Sequence, residues 1–282
     1  MKKIPKRLKP LIEDGIIDEV VRPIMSGKEA QVFLVRCDGE YRCAKMYKDV
    51  NKRSFQNSSM YREGRQEKNS RRARAMAKRS SYGRQEEESA WQNAEVEALD
   101  RLARAGVRVP NSYGCFDGIL IMDLVGDGNG GIAPRLSDVE MDVETAHIYH
   151  QFLLAEVVRM LCSGLVHGDL SEYNILVDPD GPVIIDLPQA VDVVGNNNAK
   201  MIFNRDVNNL TRFFGAIAPE ILTSNYEGEI WDLFEKGDLR PGVKLTGEFV
   251  DMTKKANVRE VLEEIEDARE EAEEKARMLA ER

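Results

Sequence analysis

Asp169, Asn174 and Asp186 carry the chemistry most visible in this chain. They lie in Leu165-Val166-His167-Gly168-Asp169-Leu170-Ser171-Glu172-Tyr173-Asn174-Ile175-Leu176, followed by Val183-Ile184-Ile185-Asp186. An aspartate, an asparagine shortly after it and a second aspartate behind an apolar run form the layout that phosphoryl transfer from a magnesium nucleotide requires. Asp169 can orient a nucleophile and take its proton, while Asn174 and Asp186 can hold metal on the phosphates. His-x-Asp alone is a common chance string; the asparagine and the strand-borne aspartate at this spacing give it weight. The flanking apolar runs read as short buried strands that would hold a catalytic loop rigidly.

The nucleotide needs groups from further upstream. Ser26-Gly27-Lys28-Glu29-Ala30 is a tight turn of small residues between two expected strands. Its backbone N–H groups can approach phosphates, with Ser26 adding a hydroxyl and Lys28 a charge. It lacks the repeated glycines of a GxGxxG loop, so on its own it is also an ordinary hairpin turn. Ala44-Lys45 on the next strand sets a lysine in an apolar frame, where it would point into a cleft and pair with α and β phosphates. A buried lysine needs a partner, and Glu95 on the following helix is the candidate, ahead of Glu97 and Glu88. Met122, Asp123 and Val125 would line an adenine pocket, with backbone groups of Asp123 and Val125 reading the base edge.

The elements that must position these residues follow from periodicity. Strands are expected over Val20–Met25, Gln31–Arg36 and Tyr41–Tyr47, the last two joined by the turn Cys37-Asp38-Gly39-Glu40, with a further buried strand over Gly118–Val125. Helices are expected over Glu87–Arg104, ending at Gly106 with Trp91, Val96, Leu99 and Leu102 on one stripe, and over Val143–Cys162, capped by Gly164. Asp206–Ile217, Glu227–Phe234 and a charged segment from Asn257 to Arg282 complete the helical set. Strands first and helices afterwards describe an α+β domain with a β-rich small lobe and a helical large lobe. The expected division is a basic lead-in over 1–19, a small lobe over 20–125, a large lobe over 126–256 and the charged helix over 257–282. The glycine-rich segment Gly126–Gly131 is where the lobes would hinge.

The net charge is −9, with a sequence pI near 5.1, so the whole molecule has no general attraction for nucleic acid. Basic residues crowd instead into an insert over about 50–88, from Arg53 to Arg84. That insert is either a solvated charge run or an electrostatic dock for RNA or ribosomal particles. Ser70, Ser80 and Ser81 within it are candidate autophosphorylation sites. The C-terminal helix either packs on the large lobe or folds back over the insert. Four scattered cysteines and three histidines suggest neither zinc nor disulfides. No run approaches the ~18 apolar residues of a spanning helix, so no membrane association is expected and the cytoplasm is the expected location.

Together, the strings Ser26-Gly27-Lys28-Glu29-Ala30, Ala44-Lys45, His167 to Asn174, Ile184-Ile185-Asp186 and Arg205-Asp206-Val207-Asn208-Asn209-Leu210 resemble the RIO family of atypical protein kinases. The likeness is to its first subfamily, since about twenty residues before the first strand cannot supply the winged helix of the second. The resemblance implies a two-lobed kinase-like fold with a truncated large lobe. It also implies an ATP- and Mg²⁺-dependent (or Mn²⁺-dependent) serine/threonine kinase or ATPase, with a phospho-aspartate on Asp186 as one form of the chemistry. A kinase-like scaffold that changes shape with ATP is the alternative. On the same basis Asp206 would tie down the loop near His167. Three departures stand out. Gly168 replaces the arginine of many protein kinases, Leu187-Pro188-Gln189 follows Asp186 in place of Phe-Gly, and Ala218-Pro219-Glu220 comes too late to be an activation-segment signature, leaving Pro219 as a helix-start residue.

Overall fold

The computed structural model describes residues 4–27, 30–48 and 94–250. Lys28, the insert over 50–88, Trp91, Glu88, the three candidate serines and the C-terminal segment from Asn257 lie outside the described residues. Five antiparallel strands form one sheet in the order β1-β2-β3-β5-β4: β1 Glu19–Ser26, β2 Ala30–Cys37, β3 Glu40–Tyr47, β4 Ser112–Phe116 and β5 Ile119–Asp123. β2 and β3 are joined at Asp38 and Gly39, both at positive φ (51° and 80°), the conformation that lets a two-residue connection follow the strand twist.

The sheet has two apolar faces because its strands alternate. Ala44 and Met46 of β3 pack on one side with Phe33, Val35, Ile119 and Ile121, closed off by Leu8, Leu11 and Ile17 from the lead-in, whose short helix α1 spans Lys9–Glu13. Lys45 and Tyr47 point to the opposite face. There a helix, α2, described over 94–104, lays Leu99 and Leu102 against the sheet and leaves Glu97 exposed.

The second lobe is built on α3, Val143–Cys162, with the bounds expected from its pattern. Asp142 caps it by accepting from the Thr145 N–H (2.8 Å), and Gly164 leaves it at φ 81°. Its Leu153, Leu154, Val157, Val158 and Leu161 form the floor on which two short strand pairs rest. β6 Leu165–Val166 pairs with β9 Val191–Asp192, and β7 Ile175–Asp178 pairs with β8 Gly181–Ile184. Helices α4, Ala199–Gly215, and α5, Tyr226–Lys236, complete the lobe, with a 3-10 turn opened by Pro219 between them.

Two expectations are corrected. α4 begins at Ala199, not Asp206, because Ile202 and Phe203 continue the buried stripe; the acid at 206 interrupts the apolar period without ending the helix. β4 was not foreseen: its pairing slips between Ser112 and Gly114 and it lies at the sheet edge, so no clean alternation marks it.

Candidate active site

The cleft between the lobes holds a buried ion cluster. Lys45 Nζ donates to Glu95 Oε1 and to Asp186 Oδ1, each at 2.6 Å. β3 supplies the lysine, α2 the glutamate and the turn after β8 the aspartate. Between Glu95 and Glu97, the two of its candidate partners that lie within the described residues, Glu95 is the one brought to Lys45. Glu95 is 1% exposed, and its other oxygen accepts from the Tyr47 hydroxyl. Tyr47 shares a face of β3 with Lys45, two positions on; sequence reasoning passed over it, although strand alternation places it there.

Charge explains the protonation states. Burial alone would push Lys45 down, but Asp186 and Glu95 overcome it and hold the ammonium well above its ordinary value. Burial likewise opposes ionisation of Asp186, yet Lys45 wins and its carboxyl sits below the usual range. Asp186 adopts φ 67°, unusual for a residue with a side chain, and that side chain remains 40% exposed toward the cleft.

The loop between β6 and β7 is held from below. Asp206 on α4 accepts from the N–H groups of Gly168 (2.7 Å) and Leu170 (3.3 Å), while Asn209 donates to the Leu170 carbonyl and Arg205 to that of Gly168. Burial pushes the Asp206 carboxyl up to about 6. His167 Nδ1 accepts from the Asp169 N–H and Nε2 faces the Ile185 carbonyl at 3.0 Å, an arrangement that assigns the ring proton to Nε2. The ring thereby joins the loop to the turn that carries Asp186, and the Ile185 N–H adds a bond to the Asn174 carbonyl.

Asp169 is exposed at the base of the cleft, with its carboxyl raised chiefly by desolvation and further by the charge of Asp186. Asn174 donates its amide to the Asp169 carbonyl (2.8 Å) and to its carboxylate (3.3 Å). Gly168 is at φ 87°, and a Cβ there would meet the Gln189 carbonyl oxygen at 2.2 Å. The glycine at this position is therefore imposed by the turn after Asp186.

The chain from 31 to 226 matches the family model described as the RIO domain. The chain belongs to the RIO family of protein kinases. RIO-type serine/threonine-protein kinase Rio1 of Haloferax volcanii is 35% identical over 232 residues, which are 81% of this chain and 74% of that one. The Methanocaldococcus jannaschii protein of the same name is 34% identical over 200 residues, and the Schizosaccharomyces pombe serine/threonine-protein kinase rio1 32% over 212. These alignments take in 70% and 72% of this chain, and 63% and 40% of the two relatives.

Membership in a kinase family implies ATP and a divalent cation, and the RIO cleft has donors that suit one. Asn174 spends its amide hydrogens on Asp169, which leaves its carbonyl oxygen, and Asp186 offers the oxygen not held by Lys45; hard oxygen donors are what such a cation takes. In the expected adenine wall, Met122 is half-buried and Val125 buried. The Asp123 N–H is committed to the Asn111 carbonyl, and the Val125 carbonyl accepts from Ala133. The Asp123 side chain binds Asn111 and the Tyr113 hydroxyl instead of facing the cleft chemistry. Ser26 ends β1, its hydroxyl accepting from Gln31.

Arg108, which the motifs did not mark, ties the lobes together. Its Nη2 donates to both carboxylate oxygens of Asp178 (2.8 and 2.7 Å), its backbone N–H donates to buried Glu156 and its carbonyl accepts from Ile184. Glu220 of the late Ala-Pro-Glu string pairs with His147 on the protein surface.

Proposed function

We propose that this RIO kinase transfers the γ-phosphoryl group of ATP to a serine or threonine hydroxyl, using Mg²⁺. The observation that carries the reading is Lys45, held at 2.6 Å from both Glu95 and Asp186 beside Asp169 and Asn174. Lys45 has a third N–H to give to the α and β phosphates, while Glu95 and Tyr47 fix its position. Asn174 and Asp186 would hold Mg²⁺, which would neutralise charge on the phosphates. Asp169 orients the hydroxyl; as its oxygen bonds to the γ-phosphorus and the bond to ADP breaks, the proton passes to the Asp169 carboxylate, whose raised proton affinity favours that transfer. The Val125 N–H and Asp123 carbonyl would read the adenine edge, and Ser26 and Lys28 would face the phosphates. The lobes are taken as 20–125 and 126–256 and the location as the cytoplasm, with the insert over 50–88 docking RNA or ribosomal particles.

A phospho-aspartate on Asp186 is the second reading, favoured by its exposed carboxylate. Attack by that oxygen would release ADP, and water would later return the carboxylate and free phosphate. The test is γ-labelled ATP with wild type, Asp169→Asn and Asp186→Asn, following free phosphate and protein-bound label. Hydroxylamine-stable label that falls about 100-fold or more in Asp169→Asn, with ATP binding retained, supports hydroxyl transfer. Hydroxylamine-labile label lost in Asp186→Asn supports the aspartyl route. Undiminished labelling in Asp169→Asn removes that residue from the mechanism.

A further inference from the structure

Lys45 is not the cleft's sole cation. After Gly131 the chain is held first by Val125 and then by β7: the Ala133 N–H donates to the Val125 carbonyl (3.0 Å), the Val177 N–H to the Pro134 carbonyl (2.9 Å), and Arg135 bridges antiparallel to Leu176. Arg135 is therefore fixed by its backbone in the floor of the cleft, two strand positions from Asn174. Its side chain crosses to the roof, where Nη2 lies 2.7 Å from the sulfur of Met25, the residue before Ser26 at the end of β1. Among the described residues no carboxylate pairs with it. A guanidinium carries five donors and no acceptor, and a thioether is a weak acceptor, so this contact leaves most of its hydrogen-bonding capacity unused. Met25 is itself 40% exposed, so the pair sits at the open mouth of the cleft.

We propose that Arg135 is a further phosphate-binding residue for the nucleotide, exchanging the Met25 sulfur for polyphosphate oxygens when ATP enters. The proposal rests on the reading of the cleft as an ATP site. Lys45 has already committed two N–H groups to Glu95 and Asp186, so one ammonium cannot match a multiply charged triphosphate. A planar guanidinium can take two phosphate oxygens at once, which makes its bonds both stronger and more directional.

The test is calorimetric titration of the full chain and of Arg135→Met with ATP and ADP, with adenosine followed by displacement of ADP. ATP and ADP should each bind about tenfold or more weakly to Arg135→Met, adenosine should be unaffected, and Arg135→Lys should recover part of the loss. Unchanged ATP affinity in Arg135→Met overturns the role of Arg135 while leaving the ATP site standing. An equal loss for adenosine and ATP overturns the phosphate assignment. Failure of the wild type to bind ATP overturns both.

Discussion

Replacing Lys45 by Met would strip the ammonium from a cluster that also contains Glu95, Asp186 and the Tyr47 hydroxyl. The two carboxylates would respond differently. Asp186 has a side chain 40% exposed and can be solvated in the open cleft, so losing its partner costs at most about 1 kcal/mol. Glu95 is 1% exposed and would keep only Tyr47. Breaking a buried pair by removing one partner typically costs about 3–5 kcal/mol. The surviving tyrosine bond and the option of taking up a proton place Lys45→Met near the lower end, at about 3 kcal/mol of lost folding stability. The double variant Lys45→Met, Glu95→Gln removes the stranded charge and leaves an amide that can still accept from Tyr47. It should recover to within about 1 kcal/mol of wild type. Urea unfolding followed by circular dichroism would measure both, and because neither variant should turn over ATP, the stability cycle is independent of catalysis. A Lys45→Met protein within about 0.5 kcal/mol of wild type, or a double variant no more stable than the single, would refute the view of Glu95 as a buried charge dependent on Lys45.

Two further outcomes are expected. His150 on α3 is 1% exposed, neither ring nitrogen has a hydrogen-bond partner among the described residues, and burial followed by the charge of His147 pushes it down to about 4 from 6.5. The stability it contributes is whole above pH 6.5 and is lost as pH falls through 4, a gap worth about 3 kcal/mol. His150→Phe, set between Phe214 and Tyr226, should gain about 1 kcal/mol at pH 7 and should not show this loss in acid. Asp206, raised to about 6, acts in the opposite sense: its contribution is present below pH 3.8 and lost as pH rises through 6. The quantity to compare is therefore the difference between variant and wild type, and parallel urea-midpoint profiles from pH 7 to pH 4 would refute the assignment. For Gly168→Ala, the positive φ and a Cβ 2.2 Å from the Gln189 carbonyl predict a loss of about 2 kcal/mol or more together with loss of turnover. A wild-type melting temperature for this variant would show that the turn after Asp186 yields.

Much of the chain's local structure was legible because its causes are local. The bounds of α3 follow from apolar spacing, an aspartate at its start and a glycine after its end. The β2–β3 turn follows from Asp38-Gly39, and the narrow spacing of Asp169 and Asn174 limits them to one loop. The resemblance to the RIO strings added one long-range support, Asp206 beneath the loop near His167. Other features needed the folded chain. Glu95 stands 50 positions from Lys45 and Asp186 stands 141 away, so the choice of Glu95 over Glu97 depends on which way α2 turns against the sheet. The β6–β9 pair is two residues a side, too short to leave a period. Tyr47 under Glu95, Arg108 between the lobes and Arg135 against Met25 have no string that marks them. A sequence pattern records which face of an element is apolar. Which charged side chains meet across a cleft is decided by the packing of whole elements, where small rotations exchange one partner for another.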